Sequence, residues 1–143
     1  MVAATVLSIL SLPMSGGGQA LPTQVDADRR LRPLLDAIRF VESGNRPNPP
    51  DGDGGRSIGP YQIMRGYHED ARGKLADWQR CRERTYAERT MVRYWRRYCP
   101  RALARGDWET LARIHNGGPR GHRKAATRAY WLKVRRSLKG VTK

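Results

Sequence analysis

Leu31, Leu34, Leu35, Ile38 and Val41 recur at three- and four-residue intervals, the spacing that puts side chains on one face of an amphipathic helix. Pro33 fits the first turn of that helix, residues 21–30 read as a polar lead-in, and Ser43-Gly44-Asn45 supplies a helix stop. The pattern then breaks. Pro47, Pro49 and Pro50 alternate with Gly52, Gly54, Gly55 and Gly59, with Asp51 and Asp53 between them. Such a stretch predicts a tight loop with a short β-hairpin closing at Asp53-Gly54, and Arg56-Ser57-Ile58 as its returning strand. After Pro60 the apolar Tyr61, Ile63 and Met64 predict a helix start, followed by a loop over 73–77.

A long helix is expected over 81–98, with Ala87, Met91, Tyr94, Trp95 and Tyr98 facing inward and a row of arginines facing out. Pro100 stops it. Asp107 is a good N-cap for a helix over 108–114, and His115-Asn116-Gly117-Gly118-Pro119 closes that helix. A last helix is predicted over 122–137, with Ala126, Ala129, Tyr130 and Val134 inward. The sum is a mainly α chain of about five helices with one small β-hairpin, forming a single domain over residues 31–143.

Composition supports one compact domain: 143 residues, 38% of them hydrophobic, with four Trp and six Tyr as large packing units. Charge adds more. The formal net charge is +15, and none of it comes from residues 1–57, where six Arg balance six acids. Residues 58–143 carry 22 Lys plus Arg against seven acids, and Arg outnumbers Lys by a wide margin. A surface of that kind draws the molecule to polyanions such as anionic cell-wall polymers, nucleic acid or lipid surfaces. No helix-turn-helix, zinc-finger or RNA-binding aromatic motif accompanies the charge, so no specific nucleic-acid partner is expected.

The first twenty residues contain no charged side chain. The run Val6-Leu7-Ser8-Ile9-Leu10-Ser11-Leu12 with Gly18 and Ala20 reads as a signal peptide or disordered leader, too short to span a membrane. Secretion, or a periplasmic or cell-envelope location, is the expectation. Cys81 and Cys99 could pair in an exported protein, but neither has the CxxC spacing of a zinc site, and the three His show no ligand spacing. No metal or other cofactor is expected, and a monomer is.

The candidate chemistry centres on Glu42. It follows Ile38 by four residues, so it shares the apolar stripe, where poor solvation would keep a carboxyl protonated near neutral pH. A protonated carboxyl facing a cleft can donate to a departing glycosidic oxygen. Cleavage of that kind usually needs a second, ionised carboxylate. Asp51 and Asp53, in the Gly-rich polar loop, are both candidates. Ser57 with His115 could form a hydroxyl–imidazole pair of the hydrolase type. Gly52-Asp53-Gly54-Gly55 lacks the Gly-Lys-Ser/Thr ending of a phosphate-binding loop.

Seven segments, in order over residues 34–136, resemble the invertebrate-type lysozyme (destabilase) family. They are Val41-Glu42-Ser43-Gly44, Ser57-Ile58-Gly59-Pro60-Tyr61-Gln62-Ile63, Gly66-Tyr67-His68-Glu69-Asp70, Trp78-Gln79-Arg80-Cys81, the run 91–98, the run 112–119, and Tyr130-Trp131-Leu132-Lys133-Val134. The resemblance implies an α+β lysozyme-like fold and hydrolysis of the β-1,4 bond between N-acetylmuramic acid and N-acetylglucosamine in peptidoglycan. It implies Glu42 as the acid and an Asp shortly before the Ser-x-Gly run as its partner, with Asp53 preferred to Asp51 as the tip of the hairpin. It implies substrate contacts from Tyr61, Gln62, His115, Asn116 and Gly117. Ser57 and His115 match positions implicated in a second, isopeptidase activity of some members. One departure stands out: the family is rich in disulfides, whereas Asn45, Ile58 and Ala71 stand here where it often has Cys. Two other readings remain open: a lytic transglycosylase using Glu42 alone, and a non-catalytic cationic binder of cell wall or nucleic acid.

Overall fold

The computed structural model describes residues 24–140; the leader reading of residues 1–20 lies outside them. Among the described residues the fold has six α-helices and one two-stranded antiparallel sheet. The mainly α architecture with a small hairpin is therefore as expected from the sequence.

Helix α1 (Gln24–Ser43) presents Leu31, Leu34, Leu35 and Ile38 to the core, each no more than 5% exposed. Burying a side chain of this size stabilises by roughly 2 kcal/mol relative to leaving it in water, which outweighs the weak helix propensity of any one residue. The helix begins earlier than predicted: residues 24–30 are helical, and Pro33 lies inside the helix instead of in its first turn. Apolar periodicity marks only the part of a helix that is buried, so polar leading turns leave no such signal. Pro33 is exposed, so water can satisfy the backbone carbonyl that its ring leaves without a donor. At the other end Gly44 adopts φ +60° and its amide donates to Phe40 O at 2.8 Å, giving the expected stop.

The hairpin lies one turn later than predicted. Residues Asp53–Gly55 form a 3₁₀ turn, and a single bridge pairs Gly52 with Ser57. Strand β1 (Ser57–Ile58) is the outgoing strand, and β2 (Ile63–Met64) returns in register Ser57↔Met64, Ile58↔Ile63. The prolines at 47, 49 and 50 carry no N–H for a ladder, which pushes the pairing downstream. The strand turn at Gly59 and Gln62 uses φ +74° and +48°. Gly59 is obligatory there: a Cβ would stand 2.1 Å from Cys81 O.

Helix α2 (Arg65–Asp70) starts five residues after Pro60, because Ile63 and Met64 are spent on the strand. A 3₁₀ stretch (Leu75–Arg82) carries Trp78 and Cys81 into the core before α3 (Arg84–Tyr98) begins. Ala87, Met91, Tyr94 and Trp95 of α3 are buried as predicted, together with Thr90. Pro100 ends α3 but also opens a short helix, α4 (Pro100–Arg105), the first-turn position that proline tolerates best. Helix α5 (Trp108–Gly117) is capped by Asp107, whose carboxylate accepts from Thr110 N at 3.1 Å. The last helix, α6 (Thr127–Gly140), starts later than predicted. A 3₁₀ turn (Gly121–Arg123) occupies the gap, and Ala126 and Ala129 are exposed, leaving Thr127 and Val134 as the buried residues.

The core lies between α1, α3, α5 and α6 and continues under the hairpin through Ile58, Tyr61 and Ile63. Two buried indoles tie layers together: Trp95 Nε1 donates to Leu111 O at 3.0 Å, and Trp78 Nε1 to Ile63 O at 3.1 Å. Cys81 and Cys99 are buried, unpaired thiols. Burial pushes the Cys81 thiol up to about 11 and the Cys99 thiol up to about 12, so both stay protonated and behave as small apolar groups. No helix among the described residues is long and apolar enough to cross a membrane.

Candidate active site

The C-terminal end of α1, the hairpin, α2 and the C-terminal end of α5 enclose a cleft of about 440 Å³. Glu42, Asp53, Ser57, Gln62, Tyr67, Asp70, Tyr94, His115 and Asn116 are among its lining residues.

Glu42 is the penultimate residue of α1, on a carboxyl side chain 19% exposed. The next residue fixes the helix end: Ser43 Oγ lies 2.9 Å from Arg39 O and 3.0 Å from Pro60 O. The second contact joins α1 to the turn of the hairpin, so the two walls that carry Glu42 and Asp53 are tied at one buried hydroxyl.

Glu42 Oε1 accepts a hydrogen bond from the Tyr130 hydroxyl at 2.7 Å. His115 Nε2 lies 3.5 Å from the same oxygen, and His115 Nδ1 lies 3.3 Å from the Tyr67 hydroxyl. The Tyr67 ring stacks on Tyr94, centroids 3.7 Å apart and planes 12° from parallel. Burial pushes the Tyr67 and Tyr130 phenols well above the usual range, and the nearby Glu42 carboxylate adds to the effect in both. Both hydroxyls are therefore standing hydrogen-bond donors. Sequence reasoning marked Tyr130 as inward-facing but not as a neighbour of Glu42, and it gave Tyr67 no role. Nothing local signals either contact, since 88 residues separate Glu42 from Tyr130 and 48 separate Tyr67 from His115.

The two candidate aspartates part company. Asp51 is held by both terminal guanidinium nitrogens of Arg82, at 2.6 and 2.8 Å, and is not among the cleft-lining residues. Those hydrogen bonds hold its carboxyl below the usual range. Asp53 lines the cleft, with Arg56 Nη2 donating to its Oδ1 at 2.8 Å. Its backbone has φ +52°, uncommon for a residue with a side chain. The loop around it is braced by Gln62: Nε2 donates to Gly59 O at 2.9 Å, and Oε1 accepts from Ser57 Oγ at 3.0 Å. Gly52 is needed beneath this brace, because a Cβ there would stand 2.2 Å from Gln62 Oε1. A third carboxylate, Asp70, also lines the cleft, 3.8 Å from Arg97 Nη1.

Three of the expected residues sit differently from the rest. Tyr61 is wholly buried, and its hydroxyl donates to Glu88 at 2.6 Å. Gly117 does not line the cleft; it makes room for Thr127, whose Cγ2 would be 2.5 Å from a Cβ. Ser57 and His115 both line the cleft, but no hydrogen bond joins them among the described residues. Ser57 donates to Gln62, and His115 is engaged with Tyr67 and Glu42. Among the described residues no group of three or more His, Cys, Asp or Glu could hold a metal ion.

The Destabilase family model matches residues 35–137, which include every residue of this cleft. The chain belongs to the destabilase family. Among the proteins it is similar to, Lysozyme 1 of Crassostrea virginica is 36% identical over 125 residues, covering 86% of this chain and 66% of that protein. A lysozyme of Magallana gigas is 38% identical over 102 residues, 70% of this chain and 74% of its own length. Invertebrate-type lysozyme 6 of Caenorhabditis elegans is 39% identical over 92 residues, 57% of this chain and 67% of its own. This destabilase-family chain thus spans about two thirds of the length of the first of these relatives.

Proposed function

We propose that this chain is a lysozyme-type glycoside hydrolase that cleaves the β-1,4 bond between N-acetylmuramic acid and N-acetylglucosamine of peptidoglycan. The observation that carries the reading is the pairing of Glu42 and Asp53 across one cleft, in two different settings. Glu42 is recessed at a helix end among tyrosine and histidine side chains, while Asp53 sits on an exposed polar loop beside Arg56. Glu42 acts as the general acid, protonating the departing oxygen. Asp53 is the carboxylate that supports the anomeric carbon as positive charge develops there. Gln62, His115 and Asn116 border the sugar-binding space. The names of the relatives point the same way, to lysozymes.

Asp53 is preferred to Asp51 because Arg82 neutralises Asp51 outside the cleft. It is preferred to Asp70 because its loop is braced by Gln62 and Ser57 of the hairpin. Isopeptide cleavage by Ser57 and His115 has weaker support as a side activity: the Ser57 hydroxyl would have to leave Gln62 and turn to the imidazole. Anionic wall polymers are the natural partners of the basic half of the chain, and the cell exterior or envelope is the compartment where such a substrate lies.

Product analysis tests the reading against a lytic transglycosylase. The expected products of peptidoglycan digestion carry reducing ends; 1,6-anhydromuramic ends would overturn hydrolysis. In the same assay Asp53→Asn lowers kcat by about 100-fold, whereas Asp51→Asn and Asp70→Asn stay within about tenfold of the parent. An undiminished Asp53→Asn would leave Glu42 as the sole carboxyl of the mechanism.

A further inference from the structure

The two oxygens of Glu42 are not equivalent. Oε1 accepts from the Tyr130 hydroxyl at 2.7 Å and has His115 Nε2 at 3.5 Å. Among the described residues no hydrogen bond reaches Oε2. The donor comes from α6, an element on which the sequence placed no chemistry, and α6 packs directly against α1. A phenol whose own ionisation is suppressed by burial offers one proton for hydrogen bonding and keeps it near neutral pH. It therefore acts on Glu42 as a fixed donor and not as an exchanging one.

We propose that Tyr130 is a positioning residue for glycosidic cleavage, anchoring Oε1 of Glu42 so that Oε2 is the oxygen that delivers the proton. The proposal rests on the reading of Glu42 as the acid. In the step itself the Oε2–H bond breaks as a new O–H bond forms on the departing sugar. The electron pair of the scissile C–O bond leaves with that oxygen, and Glu42 becomes a carboxylate. The Tyr130 bond then turns from a neutral hydrogen bond into a charge-assisted one, so it is stronger after proton transfer than before it. An interaction that strengthens along the reaction raises kcat, whereas one of constant strength changes only binding. An incoming water then gives its hydroxyl to the anomeric carbon and its proton to Oε2, which restores the acid.

The competing account makes the same hydrogen bond a structural tie between α1 and α6. The two differ in which substrates suffer. A 2,4-dinitrophenyl group departs without being protonated, so a defect confined to the acid spares substrates that carry it. Tyr130→Phe in the full chain is to be assayed on a chitooligosaccharide, whose leaving group is a sugar, and on the 2,4-dinitrophenyl β-glycoside of the same oligosaccharide. The expected result is a kcat lowered about 10- to 50-fold on the sugar leaving group with KM within about twofold, and a rate on the dinitrophenyl substrate within about threefold of the parent. The ratio of the two rates in one preparation is independent of the fraction that is folded, so partial unfolding cannot imitate this outcome. Equal losses on both substrates, or no loss on either, overturn the proposal. Glu42→Gln run alongside separates the two claims. If it keeps its rate on the sugar leaving group, the acid assignment itself fails. If it is inactive there while Tyr130→Phe matches the parent, only the role of Tyr130 fails.

Discussion

Glu88 shows at the scale of a single residue how this protein handles a half-buried carboxylate held by arginines. Burial alone would raise its pKa, but hydrogen bonds from Arg32 (2.7 and 2.8 Å), Tyr61 (2.6 Å) and Arg84 (2.8 Å) outweigh burial and hold it down at about 2, against 4.5 for a free side chain. A folded-state value below the unfolded one means that the group stabilises fully above pH 4.5 and loses that contribution as pH falls toward 2. Glu88→Gln should therefore cost roughly 2 kcal/mol near neutral pH. The gap between its melting temperature and the parent's should close as the pH is lowered through that window; a gap independent of pH would contradict the assignment. The polar partners of Glu42 among the described residues are Tyr130 and His115. Its place on the apolar stripe was legible in the sequence because Ile38 lies four residues earlier. Tyr130 and the Arg32–Glu88–Tyr61 cluster were not, because each contact joins residues far apart in the chain and periodicity reports faces, not partners.

The elements divide in the same way. Helices α1, α3 and α5 were legible because each has an apolar stripe and a clear stop or cap. The hairpin and α6 were displaced because their limits depend on tertiary fit. Ser57 pairs forward with Met64 and only bridges back to Gly52, since prolines occupy the preceding positions. Thr127, not the alanines around it, enters the core: its hydroxyl donates to Gly121 O at 2.7 Å and accepts from Arg113 Nε at 3.0 Å. The loop that carries Asp53 is sensitive to a small change. A methyl group at Gly52 would meet Gln62 Oε1 at 2.2 Å and Ser57 Oγ at 2.7 Å, so one of the two side chains must move. Gly52→Ala should lower kcat by about tenfold or more while the melting temperature falls only a few degrees, since the loop lies outside the main core. Unchanged turnover in this variant would show that the brace does not position the site.

Across the whole molecule, the net charge is separated in sequence from the two carboxyls of the cleft. The residues through Ser57 are neutral in sum and bring Glu42 and Asp53, while the rest of the chain brings the entire +15 and most of the arginine-rich helical surface. Binding to an anionic wall should therefore weaken steeply with salt, whereas turnover of a short neutral chitooligosaccharide should change little between low and physiological ionic strength. Parallel salt dependence of the two would contradict that separation. The same separation gives the most direct test of the central claim, that Glu42 supplies the proton for glycosidic cleavage. Glu42→Gln preserves shape and removes the acid. Hydrolysis of peptidoglycan by purified Glu42→Gln should fall by at least about 1000-fold while its binding to the same wall preparation and its melting temperature stay close to the parent's. Hydrolysis at the parent's rate by the folded variant would contradict the account.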